Sequence, residues 1–184
     1  SWSYPLALPA FSDRRAWLEP LRLNALVIGA ILLPWLIGYH LYQGFPFELE
    51  LSGYRVAKPA YVYEGTLPDT LELLKLVGYH VFFVAIPEEF FYRGYVQTRL
   101  DEAFSPRWRV LGASVGWGLL LTCVIFAFGH SIVQFQWWHF AIFFPSLVFG
   151  WMRARTGDVI AGAIFHAWAN ITVSLLGSLY GITA

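Results

Sequence analysis

The chain has 184 residues, of which 58% are hydrophobic and only 13% charged, with a mean hydropathy of +0.55. Soluble domains carry about 25% charged residues, so the composition excludes an ordinary soluble domain and indicates a membrane protein. The 12 basic residues balance 12 acidic ones without forming a basic tract, which argues against nucleic acid as a partner.

A membrane-spanning helix needs about 20 mostly apolar residues, and the chain supplies five such segments in order. Residues 1–22, with Trp2, Trp17, Arg14 and Arg15, read as an interfacial lead-in whose tryptophans sit at headgroup level. They lack the basic region and long apolar stretch of a cleavable signal peptide, and the Ser at position 1 points to a trimmed or processed chain. Residues 23–42 form the first span, with Pro34 as a tolerated kink. Residues 43–70 form a long loop holding Pro46, Pro59 and Pro68. The second span, 71–97, carries Glu88 and Glu89, and residues 110–129 form the third. The fourth span, 139–152, is shorter, and 159–180 is the fifth. No segment repeats. Cys123 lies alone in an apolar run and reads as a small buried filler. One cysteine makes neither a disulfide framework nor a cysteine metal site. The expected fold is therefore all-α, a polytopic bundle of about five transmembrane helices with no sheet. Residues 1–184 would form one membrane domain with its functional core in 71–180.

Basic residues fall at alternate connections. Arg14, Arg15 and Arg22 precede the first span, Arg99, Arg107 and Arg109 follow the second, and Arg153 and Arg155 follow the fourth. The 130–138 connection and the C-terminus carry no basic residue. By the positive-inside rule the N-terminus lies inside and the C-terminus outside.

Charged and polar side chains at bilayer depth cost several kcal/mol even on lenient scales, so they pair, face a cavity or do chemistry. Three clusters stand out: Glu88, Glu89 and Arg93; Phe126 with His130; and His166 with Asn170. Positions four apart share a helix face, so Arg93 is placed to pair with Glu89. Glu88 points about 100° away from Glu89, and Arg93 cannot fully neutralise it. One carboxylate without a helical partner, two histidines and an amide therefore come from three helices, the inventory of an active site. Each cluster alone has a structural alternative. The carboxylates and Arg93 could lock helices as an ion-pair cluster, His130 could mark a helix end, and His166 with Asn170 could be interhelical hydrogen-bond glue.

In order along the chain, EEFFYR (88–93), FAFGH (126–130) and HAWAN (166–170) match the patterns EExxxR, FxxxH and HxxxN. On these motifs the chain resembles the CPBP family of intramembrane proteases. That family includes the CAAX prenyl endopeptidases and bacterial relatives tied to bacteriocin processing and protein sorting. The resemblance covers roughly residues 71–180, and the chain's length favours a prokaryotic member in the inner or plasma membrane. It implies an intramembrane endopeptidase that hydrolyses a membrane-anchored or lipidated protein substrate, with membrane lipid as its surroundings. By resemblance, Glu88 is the general base that activates water, assisted by His130. His166 and Asn170 would stabilise the oxyanion, while Glu89, Arg93 and Phe126 would support the site. Hydrolysis needs such a positioned base and preorganised donors at the developing oxyanion.

No cofactor is expected. The alternative is zinc held by Glu88, His130 and His166, but HExxH is absent, and the two histidines are not paired at i, i+4. The four catalytic side chains converge only if the third span starts near Trp117 and runs through His130 toward Gln134, with 105–116 becoming an interfacial segment. Glu88 and His130 should then share one water, and His130 more than about 10 Å from Glu88 would defeat the mechanism. Candidate substrates are a prenylated C-terminal motif, a bacteriocin or pheromone leader, and the C-terminal anchor helix of a surface protein, as in myxosortase-like sorting. The non-enzymatic alternative is a membrane scaffold or immunity protein that keeps the same polar cluster as structure.

Overall fold

A computed structural model describes residues 14–51, 54–58, 60–62, 65–133 and 137–181. The part of the lead-in before Arg14, and the predicted helix end at Gln134, lie outside the described residues. The rest of the lead-in is helical and continuous with the first span, in α1 (Arg14–Gly44). Pro20 and Pro34 both sit inside this helix. Buried Asn24 ties α1 to the final helix by donating to the carbonyls of Pro20 (2.9 Å) and Ala161 (3.0 Å).

The long loop holds an antiparallel hairpin, β1 (Phe47–Leu51) paired with β2 (Tyr54–Lys58), in register from Phe47↔Lys58 to Leu51↔Tyr54. Helix α2 (Thr70–Ala103) follows. It opens with a capping box in which Asp69 and Glu72 each accept from the other's backbone N–H, satisfying two donors that a helix start leaves open. A second hairpin, β3 (Trp108–Val110) with β4 (Ala113–Val115), turns through Leu111 and Gly112. Both turn residues have positive φ, 47° and 85°, as a tight hairpin with right-handed strand twist requires. Helix α3 (Trp117–Val133) comes next, then a 3₁₀ turn (Trp137–Ile142) leading into α4 (Phe143–Thr156). Gly157, at φ 84°, ends α4 by donating to the Arg153 carbonyl at 2.8 Å, the left-handed cap that glycine tolerates best. Helix α5 (Ile160–Leu179) completes the chain.

Each of the five predicted spans corresponds to a helix. Helix α5, α2 in full and α1 from Trp17 onward are long and apolar enough to cross a bilayer, and α3 is a shorter apolar helix. The expectation of no sheet is corrected by the two hairpins. Phe47, Leu49 and Leu51 alternate with Glu48 and Glu50 ahead of Ser52–Gly53, a strand-and-turn pattern that the apolar-span reading passed over. The third span starts at Trp117, the start that convergence of the polar residues requires, and residues 108–115 are the second hairpin.

Burial runs opposite to that of a soluble protein. Phe82, Phe83, Leu26, Leu33 and Leu74 are among the most exposed side chains, a lipid-facing belt. Inside, Phe126, Phe149, Met152, Ala161 and Phe165 form the core where α3, α4 and α5 meet, with Tyr92 of α2 packed against it. Ala161, Gly162, Ala163, Ala167 and Ala169 of α5 are all buried. Such small residues let membrane helices approach closely.

Candidate active site

The carboxylates sit at an irregularity in α2. Residues Tyr79–Ala85 and Phe90–Gln97 are wound as π-helix, and only the turn Ile86–Glu89 between them is α-helical. Pro87 lies in that turn, and proline removes one helical hydrogen bond and crowds the preceding turn. Wide turns of this kind concentrate at functional sites.

Glu89 and Arg93 are fully buried. Arg93 Nη1 donates to Glu89 Oε1 at 2.7 Å, the pairing that the four-residue spacing predicts. Arg93 Nη2 donates to the Ser146 carbonyl (3.2 Å) and hydroxyl (2.7 Å) on α4. The guanidinium stacks between Phe126 and Phe149, 4.4 and 4.9 Å from the ring centres. Ser146 escaped the sequence reading. A lone serine in an apolar helix signals little until the arginine it receives is known.

Glu88 is differently placed. Its Oε2 lies 3.9 Å from His130 Nε2 and 3.9 Å from His166 Nε2. This oxygen is buried and has no hydrogen-bond partner among the described residues. Both imidazoles are held through their other nitrogen. His130 Nδ1 donates to the Phe126 carbonyl at 2.8 Å, and His166 Nδ1 donates to Glu89 Oε1 at 3.0 Å. A neutral ring so fixed turns an acceptor Nε2 toward Glu88. The rings are walled by aromatics: Phe149 stacks on His166 at 4.6 Å, and Phe126 packs on His130 at 4.6 Å.

Glu88 Oε2 and the two Nε2 atoms therefore surround one point, and a separation of 3.9 Å suits a shared water; a second proton on either ring turns its Nε2 from acceptor to donor. A water about 2.8 Å from two of them subtends roughly 90°. Tetrahedral zinc with bonds of about 2.0–2.1 Å spaces its donors roughly 3.3 Å apart, closer than Glu88 stands to either ring. Among the described residues no group of three His, Cys, Asp or Glu side chains is spaced to hold a metal ion.

The structure thus brings Glu88, Glu89, Arg93, Phe126, His130 and His166 together. Asn170 lies one turn beyond His166 on the same face of α5 and is half-buried. Tyr92 was missed, although it shares a face with Glu88 at i+4. Its ring packs edge-on against Phe126 at 4.7 Å, and its hydroxyl abuts Gly129, beside His130. An apolar groove of about 810 Å³ lies elsewhere, between α1, the second hairpin, α3 and α4.

A family model described as type II CAAX prenyl endopeptidase Rce1-like matches residues 70–172. The match runs from the start of α2 past Asn170 and contains every residue of the site. No curated protein and no solved structure matches the chain.

Proposed function

The chain belongs to the Rce1-like family of type II CAAX prenyl endopeptidases, a family of proteases, and we propose that it is an intramembrane endopeptidase whose water is activated by Glu88. The observation that carries this reading is the orphaned Glu88 Oε2, buried and equidistant from two imidazoles. A buried acceptor without a partner costs about 1–3 kcal/mol, and a water donating to it removes that cost while placing the nucleophile.

Glu88 takes a proton from this water as the oxygen attacks the scissile carbonyl carbon, while His130 orients the water by accepting its second hydrogen. Charge then develops on the carbonyl oxygen. The Asn170 amide donates to it, and so does His166 Nε2 when that ring carries its second proton, with Glu89 as counter-ion. The proton on Glu88 passes to the leaving amine, and the carboxylate is restored. Glu89 is assigned a structural part: Arg93 and His166 hold its Oε1, and its Oε2, also without a hydrogen-bond partner among the described residues, lies against Gly162 rather than between the two imidazoles. The reaction uses no metal. The substrate is membrane-associated, and the basic residues that follow α2 and α4 support an inside N-terminus.

Glu88→Gln tests the assignment. Gln keeps the shape but cannot take a proton from water, so cleavage of a co-expressed membrane-anchored substrate should fall at least 100-fold with the folded yield near normal. If Glu88→Gln cleaves normally and Glu89→Gln does not, the roles of the two carboxylates are reversed.

A further inference from the structure

A second polar contact joins the two helices that carry the site, and the mechanism above does not use it. His80 Nε2 on α2 lies 3.2 Å from Ser174 Oγ on α5. The other ring nitrogen, Nδ1, is buried and has no hydrogen-bond partner among the described residues. Histidines that only glue helices together normally satisfy their buried nitrogens.

The position of this pair relative to the catalytic water is fixed by the helices. His80 stands eight residues before Glu88, and Ser174 eight residues after His166, so α2 and α5 run antiparallel and both displacements point the same way. On α5, eight residues at about 1.5 Å each put Ser174 roughly 12 Å along the helix from His166. On α5 the gap is bridged by a row of polar residues one turn apart: His166, Asn170, Ser174 and Ser178. Burial grades along this row. Most of α5 up to Ala169 is buried, whereas beyond it only Gly177 is, and Asn170, Ser174 and Ser178 are half-buried. The polar row therefore leaves the buried site and becomes half-buried as it reaches Ser174.

An extended peptide advances about 3.3 Å per residue, so roughly 12 Å corresponds to three or four residues of substrate. We propose that His80 and Ser174 form a substrate subsite that binds an acceptor oxygen of the peptide three to four residues from the scissile bond. With the Ser174 hydroxyl donating to Nε2, Nδ1–H is the donor presented to that oxygen, which belongs either to a backbone carbonyl or to a C-terminal carboxylate. This assignment rests on the protease reading.

The experiment uses the full chain in proteoliposomes and a panel of fluorogenic peptides: one prenylated near its C-terminus, one leader peptide and one C-terminal anchor helix. The probe is whichever is cleaved by the wild type and not by Glu88→Gln. His80→Leu and Ser174→Ala should each raise KM about 3- to 10-fold with kcat within about two-fold, as loss of one substrate hydrogen bond does. His80→Asn, whose amide reaches the Nδ1 position, should recover much of the affinity. Shortening the probe to two residues on the relevant side should raise the wild-type KM and leave that of His80→Leu unchanged. A terminal amide that mimics the truncation identifies the carboxylate as the source, and one without effect identifies the backbone carbonyl. An unchanged KM in both variants, or equal losses on long and short probes, overturns the subsite while leaving the protease intact. If the wild type cleaves no probe, the protease reading falls and takes the subsite with it.

Discussion

Arg93 offers the sharpest test of how the two glutamates divide their work. Arg93→Met keeps much of the side-chain length and its packing between Phe126 and Phe149, but removes the guanidinium bonded to Glu89. Both partners are fully buried, at 2.7 Å. Removing one member of such a pair costs about 3–5 kcal/mol, because the other is left as an uncompensated buried charge. At roughly 1.4 kcal/mol per decade, the folding equilibrium falls by two to three and a half orders of magnitude. Adding Glu89→Gln removes the stranded charge, and the amide oxygen still accepts from His166 Nδ1. The double variant should regain most of the loss, since neutral replacements of buried ion pairs are often tolerated. Reversible unfolding in mixed micelles, followed by tryptophan fluorescence, reads all three proteins. A single-variant cost below about 1 kcal/mol, or a double variant no better than Arg93→Met, would refute the view that Glu89 is structural and held by Arg93.

Gly162→Ala would place a Cβ 2.8 Å from Glu89 Oε2 and 3.3 Å from the Phe149 carbonyl. Overpacking of this kind costs about 1–3 kcal/mol, and the displaced Glu89 should pull His166 out of line, so both the melting temperature and kcat should drop. Dialysis against a strong chelator should leave cleavage unchanged, and elemental analysis of the active protein should find less than one zinc per chain; loss of activity that zinc restores would instead assign Glu88, His130 and His166 as ligands. Because Cys123 is the only cysteine and is buried, single cysteines at Arg107 and Arg153 can be labelled cleanly. Both should react from the inner face, and labelling from outside would invert the topology.

Much of the site was legible because helical spacing is rigid. Four residues separate Glu89 from Arg93, Phe126 from His130 and His166 from Asn170, and that interval alone puts each pair on one face. The need for His130 to reach Glu88 even located the start of α3 at Trp117. What stayed hidden depends on tertiary contact or on departures from α geometry. Nothing local announces that Ser146 receives Arg93, that His166 is tethered to Glu89, or that His80 meets Ser174 across two helices. The hairpins escaped for another reason. Residues 110–115 contain Val110, Leu111 and Val115, and an apolar count that ignores the turn at Gly112 takes them into the third span.

The two π-wound stretches of α2 also bear on how this helix can change by insertion and deletion. An α-helix brings a residue back over itself after about 3.6 positions, and each wider turn takes up extra chain without moving the ends of the span. Deleting one residue within Tyr79–Ala85 can relax a π turn to an α turn and leave Glu88 facing His130 and His166. Deleting one residue from the α turn Ile86–Glu89 has no such slack to draw on and rotates one flank by about 100°. Length differences among relatives in this segment should therefore collect inside the membrane, upstream of the glutamates, rather than in the loops where such changes normally accumulate.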